Sequence, residues 1–265
     1  MTILQSILFC VVSLCSSIVG AICGIGGGVI IKPVLDVFGI AGASTISFLS
    51  GCTVLSMSCY SVVKSLLSRD KSVNLKLGTP LAIGAAIGGV VGKQLFSALC
   101  SLFENTDNVV VVQSVCLAAL TVFTLIYTIK KSKIKTHSVS GIVPCVLIGL
   151  FLGIFSSFLG IGGGPINLVI LFYFFGMKTK EAAATSLYII FFSQLASLIS
   201  TIVTGSVPEF SVLTLVLMIC GGILGGIIGR YISKRIESTT LDRLFMILMG
   251  VIVLISIYNI IKYAI

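Results

Sequence analysis

Two glycine runs hold the residues best suited to chemistry in this chain. Gly24-Ile25-Gly26-Gly27-Gly28 and Gly160-Ile161-Gly162-Gly163-Gly164 repeat one pattern, each inside a long apolar stretch. Three consecutive glycines stop a helix. Pro165 follows the second run, where a first-turn proline is favoured because its missing N–H would be unpaired anyway. The N–H groups of Gly26, Gly27 and Gly28, and of Gly162, Gly163 and Gly164, then point out of a helix start with the positive dipole end behind them. That is a ready site for a small anion. The rival reading is that these glycines only let helices pack closely, and it is stronger for one break than for two matched breaks.

Polar side chains near the runs are candidates to complete such a site. Asn167 stands three residues past the second run in an apolar arm, and Ile31 occupies the equivalent place in the first half, next to Lys32. A lysine at that depth marks an ion pathway or snorkels to the interface. Ala43-Ser44-Thr45 and Ala184-Thr185-Ser186 open the following segments, so Ser44, Thr45, Thr185 and Ser186 either donate to an anion or cap a helix. Gln194 is a weaker candidate.

Other chemistry lacks its residues. The carboxylates Asp36, Asp70, Glu104, Asp107, Glu181, Glu209, Glu237 and Asp242 fall near segment ends or in loops, which argues against a cation pump or carboxylate proton relay. No Walker motif, metal-ligand spacing or Ser/His/Asp set occurs, so no enzyme activity and no cofactor are expected. The nine cysteines read as small buried hydrophobes. Cys23 alone is placed suggestively, directly before the first break. Lone His137 lies in a basic loop and reads as a solvated side chain.

The elements that carry these residues are membrane helices. The 265-residue chain is 57% hydrophobic and 9% charged with mean hydropathy +1.22, far from the charged fraction of about 25% in soluble domains. Apolar stretches long enough to span recur throughout, as in a helical bundle and not a barrel. The net charge of +9 sits in short clusters between them, which suits loop retention on one side of a membrane and not nucleic acid. Ile3 to Cys23 lacks a basic start and a small-residue cleavage site, so it reads as a mature helix. Further spans are expected over Thr45 to Leu67, Leu77 to Leu99, Val109 to Ile129, Ala182 to Thr204, Phe210 to Ile232 and Leu241 to Tyr263.

The chain also repeats itself. Beyond the glycine runs, Gly88-Gly89-Val90-Val91-Gly92-Lys93 matches Gly225-Gly226-Ile227-Ile228-Gly229-Arg230. Three parts follow: a first repeat over 1–131, a basic linker over 132–140 and a second repeat over 141–265. If each glycine-broken unit crossed the membrane, the loop bases would divide almost evenly. If each is a hairpin returning to its own side, nearly all of them share one face, as cytoplasmic loops do. The expected fold is therefore an all-α integral membrane protein of two inverted-topology repeats, each a glycine-broken helical hairpin plus three transmembrane helices. Both termini lie outside, and the two tips meet near the midplane.

The two Gly-x-Gly-Gly-Gly runs, with Gly176-Met177-Lys178-Thr179-Lys180-Glu181-Ala182-Ala183-Ala184-Thr185-Ser186-Leu187 after the second, resemble the sulfite exporter TauE/SafE family, also described as the 4-toluene sulfonate uptake permease family. The resemblance covers the whole chain. The first half departs from it at Ala43-Ser44-Thr45-Ile46-Ser47 and at Lys32. It implies a secondary transporter in the cell membrane for small sulfur-containing anions such as sulfite, sulfoacetate or sulfonates, with export the expected direction. The expected partners are that anion and membrane lipid, with a homodimer left open. The alternatives are a passive anion channel and a cysteine-dependent sulfur carrier or membrane enzyme using Cys23.

Overall fold

Backbone in hydrocarbon has no water to bond, so its polar groups must be satisfied within the chain. The computed structural model describes residues 2–67, 73–103, 106–131, 134–137 and 139–264, and among these the chain forms ten helices and no strand. They are α1 (Ile3–Cys23), α2 (Gly28–Phe38), α3 (Ala43–Leu67), α4 (Leu75–Leu102), α5 (Thr106–Lys130), α6 (Ile142–Phe158), α7 (Pro165–Phe175), α8 (Thr179–Val203), α9 (Val212–Arg235) and α10 (Ser238–Ala264). Seven of them, α1, α3, α4, α5, α8, α9 and α10, are long and apolar enough to cross a membrane. The expected spans match to a turn or less at each end. Arg69, Asp70, Lys71, Glu104, Lys133 and part of the 132–140 linker lie outside the described residues.

Both glycine runs break the chain. Gly24 ends α1 at φ 76°, and Gly26 repeats that conformation before α2 begins at Gly28. Gly160 and Gly162 take φ 64° and 66° at the matching places before α7 begins at Pro165. Side chains other than hydrogen are strained there. Each break turns the chain back toward the end from which it came, and α2 packs on α1. The backbone of Gly27 lies against Gly20, while the N–H groups of His137 and Val139, ahead of α6, donate to the carbonyls of Tyr173 and Phe174 at the end of α7. At 11 residues each, α2 and α7 reach about 16 Å, roughly half of a ~30 Å hydrocarbon core.

The hairpins enter from opposite ends of the bundle. Ser6 of α1 meets Thr214 of α9 at 2.8 Å, and α1 then runs alongside α9 in the same direction. In the same way, α6 runs alongside α4 from its start. The end of α4 lies with the start of α9: Cys100 contacts Ser44, and the next residue, Thr45, donates to the Glu209 carbonyl just ahead of α9. The α1–α2 hairpin therefore shares an end with the α10 C-terminus, where Lys262 and Tyr263 donate to the carbonyls of Val37 and Asp36. At the other end Lys131 pairs with Asp242 at 2.6 Å, tying α5 to α10.

Small residues make the closest packing possible, since close backbone approach is what associates helices in lipid. A Cβ on Gly84 or Gly88 would run into the α6 carbonyls of Val146 or Leu150, and one on Gly225 would come within 2.8 Å of the Leu14 carbonyl of α1. Between these pairs lie α3 and α8, packed on each other. Beside them α10 covers α2 and α5 covers α7.

One ion pair is wholly inside. Lys32 Nζ lies 2.8 Å from Asp36 Oδ2 one turn along α2, with side chains 3% and 4% exposed. Asp36 is near the end of α2, as the sequence suggests, and is buried there, with Tyr263 of α10 donating to its carbonyl.

Two outcomes follow for stability, both read by thermal unfolding in detergent. Gly88→Val should destabilise by about 1–3 kcal/mol through overpacking, whereas Gly250→Val, with no heavy atom within 4 Å of its Cβ position, should change little. Lys32→Met should destabilise by about 3–5 kcal/mol because it strands a buried carboxylate, and Lys32→Met/Asp36→Leu should regain most of that loss.

Candidate functional site

The two tips touch. The Ile161 carbonyl fills the place a Cβ on Gly28 would take, the Gly162 carbonyl lies 3.1 Å from the Cβ position of Gly26, and the Ile25 carbonyl lies 3.1 Å from that of Gly163. Val54 of α3 and Ile190 of α8 close over the junction. Among the described residues the N–H groups of Gly26, Gly27, Gly28, Gly162, Gly163 and Gly164 make no backbone hydrogen bond. These N–H groups are the donors expected to hold a small anion between facing tips. Carbonyl oxygens and two branched apolar side chains occupy that junction, so the glycines serve close approach there.

Open space lies on either side of the junction instead. Toward the end that carries the termini is a cavity of about 20 Å³, room for about one water, lined by Ser47, Gly51, Lys93, Ser157, Gly160, Gln194, Ser197 and Thr201. Lys93 Nζ sits 4.9 Å over the Phe96 ring in its wall. Toward the opposite end is a cavity of about 220 Å³, lined by Ala21, Ser61, Lys180, Ala183, Leu187, Arg230, Ser233 and Lys234. Arg230 Nη1 donates to the Ser61 carbonyl at 3.0 Å, which fixes the guanidinium in that wall. Among the described residues, neither cavity has a carboxylate in its lining.

The remaining candidates divide between these walls and other places. Gly160 and Gln194 line the smaller cavity, and Lys32 reaches its edge, with Cε 3.6 Å from the Cβ position of Gly160. Gly24 packs against Ala183 of the larger cavity's wall. Ser186 is buried and its hydroxyl has no partner. Asn167, also unpartnered at Oδ1, faces a space of about 10 Å³ lined by Ser156, Gly163, Gly164, Pro165 and apolar side chains of α5. Thr185 accepts from the Asn74 N–H at the start of α4. Ser44 and Thr45 are engaged at the other end by Cys100 and the Glu209 carbonyl. The structure thus brings none of Ser44, Thr45 and Thr185 to either cavity wall.

The register between halves explains the misplacement. Val54 and Ile190 close the tips from equivalent positions, at the same separation as Gly24 and Gly160. That register pairs Ser50 with Ser186, and Ser50 Oγ lies 2.9 Å from the Cβ position of Gly28. Ala43-Ser44-Thr45 therefore does not correspond to Ala184-Thr185-Ser186: the likeness is compositional and the helices align several residues further on. Sequence reasoning also passed over Lys93, Arg230, Ser47, Ser61, Ser157 and Ser197. The repeated Gly-Gly-x-x-Gly-base pattern held the signal for the first two. Cys23 is fully buried among apolar side chains.

Comparison with known proteins agrees with this architecture. The family model described as "Sulfite exporter TauE/SafE" matches residues 9–256. A curated relative from Bacillus subtilis (strain 168), "Probable membrane transporter protein YunE", is 24% identical over 234 residues, covering 79% of this chain and 83% of its own length. No solved structure matches. With seven helices able to span a membrane and a family match over nearly its whole length, the chain is a multi-pass membrane protein of the sulfite exporter TauE/SafE family, and by that membership a membrane transporter.

Proposed function

We propose that this protein is a secondary transporter of small sulfur-containing anions such as sulfite, sulfoacetate or sulfonates, with export as its direction. It works by alternating access around the two glycine tips. One observation carries the reading: two cavities with basic and hydroxyl linings lie on opposite sides of a single tip junction, about 220 Å³ on one side and about 20 Å³ on the other. A carrier caught with one side accessible and the other closed has that form, whereas an open channel needs a continuous path. The absence of carboxylates from both linings among the described residues favours an anion.

The two halves, 1–131 and 141–265, are read as inverted repeats joined by the basic segment 132–140. Support comes from helix pairing that exchanges cleanly between them: α1 with α9 mirrors α6 with α4, and α2 with α10 mirrors α7 with α5. The end rich in lysine and arginine faces the cytoplasm in this reading, which puts both termini outside the cell membrane. No enzymatic step and no cofactor are invoked.

Flux of labelled sulfite in proteoliposomes tests this. The wild type should accumulate sulfite against its gradient when a driving ion gradient is imposed. Gly28→Val, which collides with the Ile161 carbonyl, should lower the initial rate about tenfold or more. Flux that only dissipates a gradient would indicate a passive channel, and no flux of any sulfur anion would overturn the reading.

A further inference from the structure

Lys93 and Arg230 hold corresponding places in the two halves, each closing the same motif, Gly88-Gly89-x-x-Gly92-Lys93 and Gly225-Gly226-x-x-Gly229-Arg230. Their cavities correspond as well. Ser197 in the smaller one matches Ser61 in the larger, Ser157 matches Ala21, and Ser47 matches Ala183, all at the separation that relates Gly24 to Gly160. We propose that Lys93 and Arg230 are the paired docking bases of two small-anion subsites, one on each side of the tip junction. The passage of an anion between them rests on the transport reading above; the docking itself does not.

Three observations beyond the motif point to an anion. First, a cation within a membrane helix needs a counter-charge. Lys32 has Asp36, whereas among the described residues Lys93 has no carboxylate partner and its Nζ lies over the Phe96 ring. Second, the hydroxyls of Ser47 and Ser157 are buried in the same cavity wall, at 7% and 4% residue exposure, with no hydrogen-bond partner among the described residues. Buried polar groups are normally paired, and two orphan donors beside an ammonium match the oxygens of one small oxyanion. Third, the Gln194 carboxamide lines this cavity while buried to 4% exposure, adding a further donor. On the other side, Arg230 stands with Lys180 and Lys234 around the wider space, which concentrates anions before they dock.

The chain contains no tryptophan, so a single introduced one reports on its own cavity. Phe48→Trp lies in the smaller cavity's wall, with Leu198→Trp as a second reporter should the first fail to fold, and Leu187→Trp lies in the larger. The measured quantity is quenching by iodide relative to neutral acrylamide in the purified full-length protein. Lys93→Gln should lower that ratio about twofold or more for the smaller-cavity reporter and leave the Leu187→Trp reporter unchanged, and Arg230→Gln should do the reverse. Lys93→Arg should preserve the ratio. A ratio indifferent to removal of the neighbouring base, or lowered equally at both reporters by either substitution, would overturn the proposal. Sulfite flux separates the two claims. If the wild type moves no sulfur anion but the iodide ratios respond as stated, the transport reading fails and the docking sites stand; if sulfite moves and the ratios do not respond, the docking proposal fails alone.

Discussion

Everything in this structure is arranged around the contact of one peptide unit with another. The Ile161 carbonyl rests where any side chain at Gly28 would have to be, and it belongs to the non-helical backbone of one tip, set against the start of α2 at the other. Such backbone is tolerated at membrane depth only if protein or a polar cavity surrounds it. Val54 and Ile190 supply the wall at the junction, and the two cavities supply the polar surroundings beside it. Because left-handed φ values are needed at Gly24, Gly26, Gly160 and Gly162, the turns are fixed by glycine and by little else.

The helices that carry the tips do not divide along the chain. The α1–α2 hairpin is fastened to α9 and α10, and the α6–α7 hairpin to α4 and α5, so each tip is held by helices from the other half. The glycine stripes of α4 and α9 make those fastenings tight, since backbone meets backbone at Gly84, Gly88, Gly92, Gly221, Gly225 and Gly229. Meanwhile α3 and α8 lie between the groups and touch both tips through Val54 and Ile190. Any relative displacement of the two groups therefore loads the tip junction and the α3–α8 packing before it loads the hairpins themselves. Packed interfaces of this kind shift between discrete arrangements and do not deform smoothly.

How legible all this was depended on the kind of signal. The breaks were readable because glycine runs act locally, and the hairpins because loop charge reports sidedness along the whole chain. Three-dimensional register was not. Ser44 and Thr45 resemble Thr185 and Ser186 in composition, but the pairing of Val54 with Ile190 sets a different alignment that only packing reveals. Asp36 looked terminal because it is terminal in α2; its burial comes from Tyr263 and α10, more than two hundred residues away in the chain. Lys93 stands in a repeated motif inside the expected span Leu77 to Leu99, which says nothing of the space it faces. Its cavity is assembled from α3, α4, α6 and α8 together, and no sequence window contains it.

The two sides of the junction share a plan without sharing chemistry. Where the smaller cavity has Ser47 and Ser157, the larger has Ala183 and Ala21, and where the smaller has an ammonium, the larger has a guanidinium. In the proposed anion carrier, a space of about 220 Å³ would admit an anion with part of its water shell, so charge and steering would do most of the work there. A space of about 20 Å³ leaves no room for that shell. On the same proposal, an anion entering the smaller side would exchange water for fixed donors, and the hydroxyls of Ser47 and Ser157, which have no partner among the described residues, would be such donors. In that carrier, serine against alanine at these matched positions would separate a side that replaces hydration from a side that keeps it.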